Sequence, residues 1–240
     1  MTLEFAVLCI GALITGISKF SVGGLGILIA PVLLYAFPAS TVLGVLLPMY
    51  LITDLMVVAC YRDKIAWGVL LKIIPAQVVG LLIATLLIAN LNADFLPKLI
   101  ALMILMMIVF GCWLDYYEGS FMKNGAAITG AGTVSGFAAL AANAGGPFIT
   151  LILMEQRLAK ETYTCTRAWN FFLVDILKIP VLLSMGFLNQ ETLMLSTQAL
   201  PALMLGGVIG FTILKKIDMR HLKWVIRGIS SVAALKLLMA

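Results

Sequence analysis

The sequence predicts an all-α polytopic membrane protein built as two inverted repeats, each a broken or re-entrant helical segment followed by three transmembrane helices. Three observations predict it. Of the 240 residues, 62% are hydrophobic and only 11% charged, against roughly 25% charged in soluble domains, and the mean hydropathy is +1.12. Four stretches, 20–53, 99–114, 124–154 and 192–214, hold no Asp, Glu, Lys or Arg, and each can supply the core of a span, which needs about 20 apolar residues. Two glycine-rich interruptions, Ser21-Val22-Gly23-Gly24-Leu25-Gly26 and Asn143-Ala144-Gly145-Gly146-Pro147, fall inside apolar stretches about half a chain apart. Broken helices at matching places in two halves mark the binding region of membrane carriers.

The elements follow in order. The chain opens as Met1-Thr2-Leu3-Glu4, without a basic leader, so the first apolar segment reads as a retained helix over 3–20. Beyond the first break come helices over 24–36, 39–61, 67–89 and 95–114. A polar connection, 115–123, separates them from helices over 125–142, 146–156, 160–183, 193–214 and 218–239. The whole chain is thus one transmembrane domain, 1–240, with repeat one over about 3–114 and repeat two over about 124–239. Gly23-Gly24 meets Gly145-Gly146 at an offset of 122, and 37–58 meets 158–179 at an offset of 121, which sets Asp54 opposite Asp175.

Loop charges choose between two topologies. If each broken segment crossed the membrane, basic loops would fall on both sides. If each turns back at its glycines, Arg62, Lys64, Lys72, Lys123, Arg157, Lys160, Lys215, Lys216, Arg220 and Lys223 gather on one side, leaving Lys98 opposite. Cytoplasmic loops collect Lys and Arg, which favours the hairpins in a multi-pass membrane protein. Three crossings after each hairpin then give the halves opposite orientation.

The net charge of +5 is spread over these short loops rather than gathered in a patch, so no nucleic-acid partner is expected. No G-x-x-x-x-G-K-[ST] and no H-E-x-x-H occurs, and the one histidine, His221, lies in a basic connection; an ATP-driven pump and an intramembrane hydrolase are disfavoured. Cys9, Cys60, Cys112 and Cys165 lack CxxC spacing. No cofactor, metal or catalytic residue is expected, and the oligomeric state is not readable.

A helix that begins inside the bilayer leaves N–H groups unpaired and carries a partial positive charge, which attracts an anion. The candidate substrate-binding set is therefore Ser21, Gly23 and Gly24 at the first break, Asn143, Gly145, Gly146 and Pro147 at the second, and Arg167 and Asn170 beyond it. Pro suits the first turn of a helix and glycine lets backbone approach a ligand; the competing reading is that these glycines only allow close helix packing. At about 100° per residue, Tyr163, Arg167, Asn170, Asp175 and Lys178 share one helix face, which must look into the bundle. The planar fork of Arg167 suits an anionic group. Lys19, Asp54, Asp175 and Lys178 are candidates for ion coupling or for buried ion pairs, Lys19 with Asp54 and Lys178 with Asp175.

With Ala141-Ala142-Asn143-Ala144-Gly145-Gly146-Pro147 in the second copy, and a glycine break, an apolar helix and an acid-bearing helix given twice, the chain resembles the TauE/SafE family over essentially its whole length. The resemblance implies a bacterial inner-membrane exporter of small sulfur-containing anions such as sulfite or organosulfonates. The expected partners are a small anionic substrate and the lipid bilayer. An anion channel, or a membrane assembly or redox factor using the cysteines, are the alternatives.

Overall fold

The computed structural model describes residues 3–20, 25–60, 64–92, 95–116, 124–212, 228, 230–232 and 234–236. Every regular element among the described residues is a helix, and none is a strand. The helices are α1 (Leu3–Phe20), α2 (Ile29–Leu33, entered through a 3-10 turn at Leu25–Leu28), α3 (Ala39–Cys60), α4 (Trp67–Ala89), α5 (Phe95–Tyr116), α6 (Gly125–Ala142), α7 (Gly146–Glu155), α8 (Lys160–Ser184), α9 (Gln190–Gln198) and α10 (Leu200–Thr212). Ser21, Gly23 and Gly24 of the first break, His221 and most of the expected 218–239 helix lie outside the described residues.

Two expectations need correction. The 24–36 helix is a 3-10 turn and a five-residue α-helix that ends in turns before Phe37. The 193–214 helix starts earlier, at Gln190, where the Asn189 side chain caps the Thr192 N–H, and it bends by 50° between α9 and α10. Pro201 explains the bend: it has no N–H to return to Thr197, and it disfavours helical backbone at Leu200.

Four helical stretches are long and apolar enough to cross a membrane, Ala39–Ala59, Trp67–Ala89, Phe95–Leu114 and Gly125–Ala142, and the bent α9–α10 pair makes a fifth. Large apolar side chains line the outside, among them Leu71, Leu82, Leu86, Leu102 and Val109. Thr15, Thr53, Asp54, Gln77, Ser135, Asn170, Asp175 and Lys178 are buried. Apolar outside and charged inside is the order expected where the surrounding solvent is lipid.

Three helix pairs organise the bundle. In the α4–α6 pair, a Cβ on Gly80 would stand 1.9 Å from the Thr133 carbonyl oxygen, one on Gly136 would stand 2.1 Å from that of Gln77, and Gly132 abuts Ala76. These contacts advance together along both helices, so α4 and α6 run parallel with backbones in touch, an approach only small residues permit. In the α1–α10 pair, Gly206 meets Leu13 and Gly210 meets Ile17, again parallel, with Gly16 against the Leu203 carbonyl. The third pair, α3 and α8, is antiparallel. Gly44 meets the Phe187 carbonyl at one end, and the Ala66 N–H, just past α3, donates to Thr166 Oγ1 at the other.

The ion pair of Lys64 with Glu161, at 2.5 Å, joins the α3–α4 connection to the start of α8. Since α6 runs parallel to α4 and α7 leads straight into α8, the α6–α7 unit enters and leaves on the same face. It is a hairpin that turns back at Asn143–Gly145.

Candidate functional site

The turn of that hairpin is built residue by residue. Asn143 takes the left-handed conformation, φ 51° and ψ 33°, which reverses the chain after α6, and Asn tolerates it better than most residues with a side chain. The Ala144 N–H closes back on the Ala138 carbonyl at 3.0 Å. Gly145 then lies so close to α6 that a Cβ would be 2.6 Å from the Ser135 carbonyl oxygen. Gly146 opens α7 with Pro147 in its first turn, and a Cβ there would meet only the Phe171 ring, at 3.6 Å. The two adjacent glycines thus differ in purpose: Gly145 lets the hairpin close, while Gly146 leaves the α7 start open towards Phe171.

Below the turn lies a network of charges. Lys19 Nζ, in the last turn of α1, is 2.6 Å from Asp54 Oδ1 on α3 and 3.8 Å from Asp175 Oδ2 on α8. Lys178 Nζ is 2.5 Å from Asp175 Oδ1 and donates to Asn143 Oδ1 at 2.6 Å. Both expected ion pairs are therefore present, and they are linked into one cluster. It joins the end of α1, immediately before the first break, to the turn of the second. Lys19 also sits over the Tyr50 ring at 4.4 Å and the Phe171 ring at 5.4 Å. Desolvated cations gain from such faces.

Arg167 stands two turns before Asp175 on the same side of α8. Its guanidinium carbon lies 5.3 Å from the centroid of Phe171, the ring that Lys19 also faces. Its Nε is buried without a hydrogen-bond partner, and among the described residues no carboxylate pairs with it. Phe171 is thus flanked by Arg167, by Lys19 and by the α7 start at Gly146.

The site candidates do not all converge on this place. Asn170, fully buried, forms a two-way amide pair with Gln77: its Nδ2 donates to Gln77 Oε1 at 2.7 Å and its Oδ1 accepts from Gln77 Nε2 at 3.2 Å. Gln77 also reaches Ser135 Oγ at 3.3 Å, and Ser135 donates to the Gly145 carbonyl at 3.0 Å. This polar chain ties α4, α6 and α8 to the turn. Trp169 packs edge-on against Trp67 at 5.4 Å, beside the α3–α4 connection.

Tyr50, Phe171, Gln77 and Ser135 are the participants that the sequence reading passed over. A signal existed for the first two: each stands four residues before its aspartate, Tyr50 before Asp54 and Phe171 before Asp175, at the same offset of 121 as the acids. Cys9, Cys112 and Cys165 are free thiols.

Residues 8–237, nearly the whole chain, match the family described as sulfite exporter TauE/SafE. Searches of curated proteins and of solved structures found no match. An all-helical bundle with apolar helices able to span a membrane, polar groups turned inward and a match of this extent leave one conclusion: this multi-pass membrane protein belongs to the TauE/SafE family of sulfite exporters.

Proposed function

We propose that the chain is a secondary transporter that exports small sulfur-containing anions, sulfite or organosulfonates, across the cell (inner) membrane by alternating access. The observation that carries this reading is Arg167, a cation with no carboxylate partner among the described residues, facing the same aromatic ring as the start of α7. A half-buried cation whose Nε is out of water and without a partner is costly, and an oxyanion held between its fork and the unpaired N–H groups of a helix start would relieve that cost. Gly146 and Pro147 supply the helix start, Lys19 and Lys178 add positive charge beside it, and Ser21, Gly23 and Gly24 are the corresponding residues of the first break.

The packing supports two inverted repeats, about 3–114 and 124–239, within one domain. Each repeat begins with a helix (α1 or α6) that runs parallel to the second crossing of the other repeat (α10 with α9, or α4). The third elements, α3 and α8, run antiparallel and carry Tyr50 with Asp54 and Phe171 with Asp175. In such an arrangement the two hairpins enter from opposite faces and rock against a shared centre. Lys19, within 3.8 Å of both acids, offers a contact that each state could hold differently.

The test is flux into proteoliposomes for sulfite, thiosulfate, sulfoacetate and sulfate. Flux of the sulfur oxyanions that saturates with concentration supports a carrier. Flux rising linearly without saturation would mark a channel, and no flux of any of the four would overturn the reading.

A further inference from the structure

Counting charge across the cluster gives a second result, one that rests on the anion reading above. Lys19 and Lys178 are matched by Asp54 and Asp175, all four buried or nearly so and joined by contacts of 2.5–3.8 Å. Arg167, on the other side of Phe171, adds one positive charge that nothing among the described residues cancels. Glu155, at the far end of α7 about 13 Å along the helix from Gly146, makes no ion pair with Arg167. Counted over the described residues, the site therefore holds one unit of excess positive charge. A buried site tolerates little net charge, so a monoanion fills it without further change and a dianion brings one negative charge too many.

We infer that the site takes a monoanion without a proton and takes a dianion together with one proton, which is bound at Asp54. Geometry selects Asp54. Both oxygens of Asp175 face ammonium groups, Oδ1 towards Lys178 and Oδ2 towards Lys19. On Asp54 only Oδ1 is engaged, by Lys19, and Oδ2 is buried with no hydrogen-bond partner. A proton from solvent adds to Oδ2; no other bond breaks. The neutral acid then releases the Lys19 ammonium to the second charge of the substrate.

The ionisable groups facing Asp54 are Lys19 from α1, Asp175 and Lys178 from α8, and Tyr50 from its own helix. Of the other helices packed on α3, α10 carries no ionisable residue. α5 carries Lys98 in its first turn and Cys112, Asp115 and Tyr116 in its last two, and α9 carries Glu191 in its first.

Calorimetry on the purified full-length protein tests this with methanesulfonate, a monoanion, and thiosulfate, a dianion, neither of which changes its own ionisation near neutral pH. Titration in two buffers of different ionisation enthalpy counts protons directly. The expected result is no proton taken up with methanesulfonate and one with thiosulfate. Thiosulfate affinity should then rise about tenfold for each pH unit of acidification while Asp54 is ionised in the free protein. Asp54→Asn leaves two uncompensated cations, so thiosulfate should bind it without a proton and without pH dependence. Equal proton counts for the two anions overturn the inference while leaving the anion site standing, as does a slope that persists in Asp54→Asn. Failure of both anions to bind overturns the anion site and this inference together.

Discussion

Lys64 and Glu161 are 97 positions apart, yet their side chains meet at 2.5 Å. Both are largely exposed, so the pair adds little stability; its value is topological. It brings the start of α4 and the start of α8 to one face, which a chain crossing the membrane at every apolar segment cannot do. Single cysteines at positions 64 and 161 are expected to react with an impermeant thiol reagent from the same side, and cysteines at 92 and 187 from the other. From the loop charges, the first side is expected to be the cytoplasmic one. Labelling of 64 and 161 from opposite sides would remove the hairpin.

The adjacent glycines of the turn should respond very differently to one methyl group. In Gly145→Ala the new carbon would fall 2.6 Å from a backbone oxygen of α6, which cannot move aside as a side chain can. A loss of about 1–3 kcal/mol is expected, the usual size of an overpacked contact. In Gly146→Ala it meets Phe171 at an ordinary 3.6 Å, and a change within about 0.5 kcal/mol is expected. Thermal unfolding in detergent separates them. Gly146→Leu should fold but lose anion binding, since its side chain fills the space beside Phe171. Equal unfolding temperatures for the two alanine variants would mean that the hairpin does not close on α6 in this way.

Much of this architecture was legible because lipid imposes length and polarity on each segment. The boundaries of α1, α4 and α6 follow from apolar runs ended by polar residues, and the hairpin at Asn143 follows from its glycines and Pro147. Acids are so scarce between Glu4 and Asp63 that Asp54 was the natural partner for Lys19, and a three-residue spacing put Lys178 on Asp175. The bend at Ala199 was missed because Pro201 lies within an unbroken apolar stretch, where hydropathy outweighs a single residue. Gln77 was missed for a different reason. Its partner Asn170 is 93 positions away, and nothing local distinguishes an amide that will be paired from one that faces a pathway.

That amide pair carries a stability test. Gln77→Leu leaves the Asn170 carboxamide buried with no partner from α4, and a buried unpaired polar group costs about 1–3 kcal/mol. Removing both amides together, Gln77→Leu with Asn170→Leu, should recover part of the loss, because matched apolar replacements leave nothing unsatisfied. A double-mutant cycle on thermal unfolding measures the coupling. Simple additivity would mean that the two amides act independently and that Asn170 is free for another role.

Arg167 gives the sharpest test of the anion site. A guanidinium can present two N–H groups to two oxygens of one sulfonate, and a lysine presents one compact charge. Arg167→Ala should weaken methanesulfonate binding by about 1.5–3 kcal/mol, the usual worth of hydrogen bonds to a charged group, which is roughly ten- to a hundredfold in Kd. Arg167→Lys should fall between the two. Stability should move the other way: with no carboxylate partner among the described residues to strand, Arg167→Ala removes a half-buried charge that faces the Phe171 ring, so the variant should unfold no earlier than the parent. Calorimetry reads the first effect and thermal unfolding the second. A variant that binds as tightly as the parent places the anion elsewhere, while one that binds weakly but also unfolds early makes Arg167 a structural cation rather than a ligand-holding one.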